Sequence, residues 1–338
     1  MTIDSAPCVL VGMLHVGEPS VPRVRELIVS QMDVDVELLE IAHLPEREAH
    51  ERLYRTFDAA DPKFDAVVKV DADMELVEPR LLHAIGMLFR RHPSLDYLLI
   101  GVDDWFSGQR IHGMTAWRQG IRWTSPPPEL FTDLPTNTAR TELKLVDVGR
   151  ALVLHAADPT DEQAVRYGLH RGLKATATAK ASRIARLSDI VEHAAVDPER
   201  GRLVAVAAIA AALEDRRAAT MLLDDLRTDP SAVSQFVERA DDPDLLARTS
   251  ELLATFAAAS ERLNDASSGA PASASSTIPS MWRQLSALPE RLRARAQRRI
   301  EHSDVETGGL RDQTLREEFL DLLSPAGRAR SGRGARAR

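Results

Sequence analysis

The sequence predicts an α/β domain built on a mostly parallel sheet with flanking helices, followed by an α-helical C-terminal region. Three observations lead there. Apolar, strand-like runs alternate with helix-periodic segments from Cys8 to Asp104. One of these runs, Val67-Val68-Lys69-Val70, ends in Asp71-Ala72-Asp73-Met74. From Ser188 to Leu263, Ala and Leu recur at helical spacing, broken at Asp197-Pro198, Asp229-Pro230 and Asp242-Pro243.

Taken in order, Cys8 to Val16 is a nearly continuous apolar run, as in a strand buried on both faces. Gly17, Pro19 and Pro22 end it, and Val24, Leu27, Ile28 and Gln31 follow at helical spacing. Val34 to Ile41 begins with strict alternation and reads as a second strand, closed by Leu44-Pro45. Glu46 to Ala59 is helical, with Leu53, Tyr54 and Phe57 on one face. Ala66 to Val70 is the third strand. Glu78-Pro79 opens a helix whose apolar face is Leu81, Leu82, Ile85, Leu88 and Phe89, and His92-Pro93 closes it. Leu95 to Val102 is a further strand, ending in Asp103-Asp104. Ile111 to Trp123 reads as either a hairpin or an extended loop. Ala151 to Leu154 is a short apolar run that ends in His155. The β-α-β-α-β order argues for parallel strands with crossover helices. In such sheets ligands bind at the carboxyl ends of the strands.

That edge is where the candidate chemistry falls. In a strand, residues two apart share a face, so Asp71 and Asp73 are expected to face one point beyond the strand end. Paired carboxylates with open coordination suit a hard divalent cation that carries substrate phosphates. His155 at another strand end is a suitable further ligand, since neutral imidazole binds Mn²⁺ well and Mg²⁺ tolerably. Each residue also has a plain alternative. A bare Asp-x-Asp is most often a solvated turn, and a lone histidine is most often a buried or capping residue. Lys69 lies inside an apolar strand and needs a partner, either an acidic neighbour or donor phosphates. Pro159, Asp161 and Glu162 suit a helix N-terminus, and the segment after them carries Arg166 and Lys174. These two cations fit either a diphosphate clamp or an ordinary basic helix face.

The strand-Asp71-Ala72-Asp73-Met74 unit, the preceding Leu44-Pro45-x-x-Glu48-Ala49-His50-x-x-Leu53-Tyr54 segment and the downstream His155 resemble nucleotide-sugar glycosyltransferases of the GT-A fold, closest in style to family 2. The resemblance covers Pro7 to Lys174. It implies a GT-A-like (Rossmann-like) sheet and an inverting transfer from a nucleotide-diphosphate sugar to a glycan, lipid-linked or small-molecule acceptor. It also implies Mn²⁺ or Mg²⁺, with Asp73 as direct metal ligand, Asp71 contacting the ribose or the metal, and His155 completing the shell. Lys69, Glu40, Arg166 and Lys174 are the expected donor-binding residues. The catalytic base is expected after the metal motif, from Asp103, Asp104 or Asp133. Asp133 lies in the Pro-flanked PPPELFTDLP loop, and Asp103 and Asp104 sit beside Trp105. Two departures from the pattern stand out. Glu40 and His43 lie near the place of the usual base-reading Asp, and His15-Val16-Gly17-Glu18 replaces the usual Asn-Glu pair.

Two other enzyme classes fit less well. A nucleotidyltransferase wants a Gly-rich basic loop after the first strand, and HVGEPSVPR does not supply one. An Asp-x-Asp phosphatase wants Thr after the pair, where Met74-Glu75 stands. The alternative from a different class is a catalytically inactive glycosyltransferase-like protein used for binding or scaffolding.

The chain has 338 residues, 44% apolar and 28% charged, which fits a soluble globular protein. Its start carries Asp4 and no basic region before the first apolar run, unlike a signal peptide. Cys8, the single cysteine, excludes an intramolecular disulfide. The expected location is cytoplasmic. Four segments follow: 1–180 as the α/β domain, 181–264 as a helical appendage, 265–280 as a Ser/Ala-rich flexible linker and 281–338 as a basic, partly disordered tail. That tail holds 13 Arg against 8 acidic residues in a chain of net charge −8. Trp282, Leu285, Leu288, Leu292 and Ile300 interleave with its arginines, so peripheral contact with an anionic membrane surface is one expectation. Specific nucleic-acid binding is not expected.

Overall fold

The computed structural model describes residues 5–123, 137–146, 148–226, 229–267 and 310–324. The chain divides into two compact units, Met1–Asp158 with Gly309–Arg338, and Pro159–Gly308. The division falls before residue 180, the boundary read from the sequence, so the helix carrying Arg166 and Lys174 belongs to the second unit.

Among its described residues the first unit holds eight strands: β1 (Cys8–His15), β2 (Asp35–Ala42), β3 (Ala66–Asp71), β4 (Met74–Leu76), β5 (Tyr97–Asp104), β6 (Arg110–Arg118), β7 (Glu142–Leu145) and β8 (Val153–His155). Its helices in this stretch are α1 (Val21–Val29), α2 (Glu46–Asp58) and α3 (Leu81–Arg91). The sheet order is β2-β1-β3-β6-β5-β8-β4, with β7 also paired to β5. Strand β1 runs parallel to β2 and β3, and β5 runs parallel to β7 and β8. Strand β6 is antiparallel to both β3 and β5, and β4 is antiparallel to β8. The sheet is therefore mixed: most strands run parallel, as the sequence suggested, and β6 and β4 run against them. The cause is local: the chain reverses at Trp105–Gln109, with Gly108 at φ +62, and returns as a hairpin. Hydrogen bonds Gly108 N–Asp104 O and Asp104 N–Gln109 O, both 2.9 Å, close that turn. The segment left open between hairpin and loop is thus a strand inserted between two parallel halves.

Alternation along the strands fills both faces. Val9, Val11 and Met13 of β1 join Val68, Val70, Leu98, Ile100 and Val102 in one cluster, packed with Val24 and Ile28 of α1 and the apolar face of α3. Leu10, Ile41 and Val67 face the other way, against Leu53, Tyr54 and Phe57 of α2 and the indoles of Trp117 and Trp123. Leu315, Phe319, Leu322 and Leu323 complete the first cluster. They come from Leu310–Leu323, a helix inside the stretch read as a basic, partly disordered tail. In a single-unit sense it is core: Phe319 is fully buried, and Glu318 accepts from Arg91 (2.9 Å) and faces His92 Nε2 (2.7 Å). Burial raises the Glu318 carboxyl, but Arg91 and His92 outweigh it and hold it below its ordinary range. The Trp282–Ile300 segment lies outside the described residues.

The second unit is helical in its described residues. It comprises α4 (Asp161–Thr178), α5 (Ala181–Val196), α6 (Arg200–Glu214), α7 (Arg216–Asp225), a 3₁₀ turn (Pro230–Val233), α8 (Ser234–Ala240) and α9 (Leu245–Ser267). Helix α9 extends into the stretch read as linker. Helix α6 is the centre: every residue from Val204 to Leu213 is buried. An all-apolar helix of this kind needs neighbours around its whole circumference. Gly168 lets α4 approach it closely, since a Cβ there would stand 2.2 Å from the Ala205 carbonyl oxygen. Thr160 and Gln163 form a capping box at the start of α4. No helix of the described residues is long and apolar enough to cross a membrane.

Candidate functional site

Strands β1, β2, β3, β5 and β8 all point their carboxyl ends to one edge of the sheet. Four of them finish on a titratable residue: His15, Asp71, Asp104 and His155. Strand register decides which of these meet. His155 is paired with Asp104 on the parallel side and with Met74 on the antiparallel side. Two backbone bonds lock the corner, Ala156 N to Asp73 O at 2.8 Å and Trp105 N to His155 O at 3.2 Å.

The side chains follow this lattice. His155 Nδ1 lies 2.7 Å from Asp104 Oδ1, and Nε2 lies 3.4 Å from Asp73 Oδ2. The Asp104 side chain is fully buried. Its Oδ2 accepts from Ser107 N at 3.0 Å and from Ser107 Oγ at 2.5 Å. With Oδ2 already accepting from Ser107, Oδ1 is the acceptor open to a proton carried on Nδ1. Asp73 Oδ1 is buried and has no hydrogen-bond partner among the described residues. Burial pushes the Asp73 carboxyl up, but His155, a backbone amide and Lys69 hold it below the ordinary range. Burial pushes His155 down, but the Asp73 and Asp104 carboxylates outweigh it and push it up to about 10.

Asp71 is placed differently from the expectation of a shared face with Asp73. Strand β3 ends at Asp71 and the chain turns at Ala72 and Asp73, so the alternation rule stops one residue early. The i, i+2 partner of Asp71 on its own face is Lys69, whose Nζ lies 2.7 and 3.0 Å from the two carboxylate oxygens. Lys69 thereby has the acidic neighbour it required. Among the described residues, no three His, Cys, Asp or Glu side chains converge to hold a metal. The set Asp73, Asp71 and His155 is thus not assembled as a three-residue cage.

A cation shared by two protein ligands is still compatible with this corner. Metal–ligand bonds of about 2.0–2.2 Å set two such ligand atoms roughly 3.0–3.5 Å apart. Asp73 Oδ2 and His155 Nε2 are 3.4 Å apart. The orphaned Asp73 Oδ1 adds an unsatisfied acceptor at the same point, which costs stability unless something occupies it. Mg²⁺ and Mn²⁺ are often held by one or two protein ligands, with waters and substrate phosphates supplying the rest.

Beside this corner, Asp103, Asp104, Trp105, Gln109, Arg110 and His155 line a cavity of about 420 Å³. Asp103 pairs with Arg110 through contacts of 2.5 and 3.1 Å. Glu40, near the place of the base-reading residue, is held by Arg25 through two 2.7 Å bonds. That guanidinium, ahead of a smaller opposing effect of burial, lowers the Glu40 carboxyl. His15 Nε2 is 3.5 Å from Glu40, and the His15 and His43 rings meet edge to face at 5.9 Å. His43 itself adopts a left-handed backbone, φ +56. Arg166 bonds Glu162 and the Leu226 carbonyl, each at 2.9 Å, and Lys174 is buried, both within the second unit. Asp133 lies outside the described residues. Sequence reasoning missed Ser107 and Arg25. The Asp104-x-x-Ser107 spacing before Gly108 was a legible turn signal for the first.

No family model matches the chain, and no curated protein does. Among solved structures, the chain is similar to a mannosyltransferase from Pyrobaculum calidifontis in complex with GDP-Man and Mn²⁺. Identity is 12%, the match covers 77% of this chain and 89% of that one, and the TM-score is 0.33. At that identity and score the similarity carries no weight for function.

Proposed function

We propose that this protein is a metal-dependent glycosyltransferase that moves a sugar from a nucleotide-diphosphate donor to a hydroxyl acceptor. The observation that supports this best is the Asp73–His155–Asp104 corner, at the carboxyl edge of the sheet and beside a cavity. Asp73 and His155 are the residues that would hold Mn²⁺ or Mg²⁺. When bound, such an ion neutralises charge on the departing diphosphate. Two protein ligands would leave the ion open to substrate phosphates, which suits a nucleoside-diphosphate donor better than a bare alcohol or acid. Asp71, paired with Lys69 at the end of β3, would meet the ribose or the phosphates.

The acceptor hydroxyl enters the cavity in this reading. Asp103 is the carboxylate there that is not engaged by His155, and Arg110 orients it. It takes the hydroxyl proton as the oxygen attacks the anomeric carbon. The new C–O bond forms as the bond to the diphosphate oxygen breaks, and this single displacement inverts the anomeric centre. Asp133 is the rival for the same role. Asp104 is not, because both of its oxygens are committed. The acceptor is a glycan, lipid-linked or small-molecule alcohol. The basic 281–300 segment would bring the enzyme to an anionic membrane surface from the cytoplasmic side.

The second reading is a non-catalytic relative. It is favoured by the lack of a three-ligand group among the described residues and by the locking of Glu40 by Arg25. Calorimetric titration of UDP and GDP, with and without Mn²⁺, into wild type and Asp73→Ala tests the first reading. It expects binding of one nucleotide that needs Mn²⁺ and is lost in Asp73→Ala. No Mn²⁺-dependent binding of either nucleotide by the folded protein contradicts it.

A further inference from the structure

Asp103 and Asp104 are adjacent, both end β5 and both were candidates for one chemical role, yet their surroundings differ sharply. The Asp103 side chain keeps 35% of its surface exposed and lines the cavity, whereas that of Asp104 is fully buried between Ser107 and His155. We infer that Asp104 is a positioning residue: it fixes the His155 ring with the proton on Nδ1, so that Nε2 faces Asp73 as a ligand atom, and Ser107 holds Asp104 in that pose. This inference rests on the proposed function and goes beyond it, because it assigns a residue that touches neither substrate nor cation.

Hydrogen-bond polarity sets the roles of the two ring nitrogens. A ring that holds a cation is the neutral imidazole, whose two nitrogens have opposite roles, and the partner of one decides the role of the other. Ser107 N–H and Oγ–H both donate to Asp104 Oδ2. Asp104 Oδ1 therefore presents an acceptor to Nδ1 at 2.7 Å. The strand pairing leaves little freedom to undo this: Trp105 N is bonded to His155 O and Ala156 N to Asp73 O, while the Asp104 backbone is held by Gln109 and Gly108. A carboxylate behind a ligating histidine orients the ring and raises its basicity, and losing it typically weakens metal binding about 10–100-fold.

The competing explanation is that Asp104 merely caps the β5–β6 turn through Ser107. Asp104→Asn separates the two. An Asn side chain serves a turn as well as Asp does. Its carbonyl oxygen would stay on the two Ser107 donors, and its amide would then point a donor at His155. That forces the ring proton onto Nε2, the atom facing Asp73. The fold is kept while the ligand atom is lost.

The test is Mn²⁺ affinity, followed by the paramagnetic signal of free Mn²⁺ in the presence of UDP or GDP, for wild type, Asp104→Asn and Ser107→Ala. Unfolding temperature is measured alongside. The expected result is a 10–100-fold weaker Mn²⁺ affinity in Asp104→Asn with little change in unfolding temperature, and a smaller loss in Ser107→Ala. Nitrogen shifts of His155 with Mg²⁺ and the nucleotide should show Nδ1–H in wild type and Nε2–H in Asp104→Asn. Equal affinity in wild type and Asp104→Asn, or an Nε2–H ring in wild type, overturns the inference and leaves the glycosyltransferase reading standing. No Mn²⁺ binding by wild type overturns both. Should Asp104→Asn fail to fold, Ser107→Ala carries the test, and unchanged affinity there with unchanged nitrogen shifts overturns the inference.

Discussion

At the carboxyl edge of the sheet, the corner around β8 and the corner around β1 and β2 are made of the same residue types, histidines and carboxylates, yet they are built differently. Around β8, Asp104, His155 and Asp73 interlock through strand register, two cross-strand backbone bonds and contacts of 2.7 and 3.4 Å. Around β1 and β2, Glu40 is held by Arg25, a partly exposed guanidinium, and its approach to His15 is 3.5 Å. His15 Nδ1 is buried with no hydrogen-bond partner among the described residues. Residue type at a strand end does not by itself make a site. Neighbouring strands must bring two such ends side by side, and a buried partner must fix the ring.

The largest effect that can break this comparison is on stability. The flanks of the first corner, Met74 and Val153, share a core cluster with Phe319. Phe319→Ala should cost about 3–5 kcal/mol, read from urea unfolding. A loss below about 1 kcal/mol would remove that helix from the core. Next is binding. His155→Ala should weaken Mn²⁺-dependent nucleotide binding roughly 100-fold, about 2.8 kcal/mol, whereas Glu40→Gln should change it less than about threefold. Equal losses would erase the distinction between the corners.

The smallest effect concerns the other end of β5. Asp96, just before the strand, accepts from Arg118 Nη2 at 2.8 Å and from the Arg140 and Thr141 amides at 3.0 and 3.3 Å. Burial raises its carboxyl, but these donors outweigh burial and lower it overall. A group whose folded value is depressed adds stability above its unfolded range, and that stability is lost as pH falls through the folded value. Asp96→Asn should therefore cost about 1–2 kcal/mol near neutral pH and nothing at strongly acidic pH, so the two unfolding curves should converge on acidification. Curves that stay parallel would exclude this role.

The sequence carried much of the framework. Strands β1, β2, β3 and β5 and helices α1, α2 and α3 follow from period and punctuation, because local pattern suffices for them. Three features were out of reach or misread for physical reasons. Asp71 and Asp73 were read as one face, but the strand ends between them, and strand ends are set by turn geometry rather than by apolar content. Asp104 looked like a base because it ends a strand. Its commitment to His155 depends on a pairing across 51 residues, which no local pattern encodes. The Leu315, Phe319, Leu322 and Leu323 spacing is helical and was legible, but the arginines around it led to the whole tail being read as basic and partly disordered.

The central claim is that the Asp73–His155–Asp104 corner serves a cation-dependent transfer from a nucleotide sugar. The most direct measurement is release of UDP or GDP from a panel of nucleotide sugars by the full chain, with Mn²⁺ and with chelator, in wild type and Asp73→Ala. The account expects release from one donor class that requires Mn²⁺ and disappears in Asp73→Ala. A folded protein that binds Mn²⁺ and nucleotide yet releases nothing from any donor would contradict it and favour the non-catalytic reading.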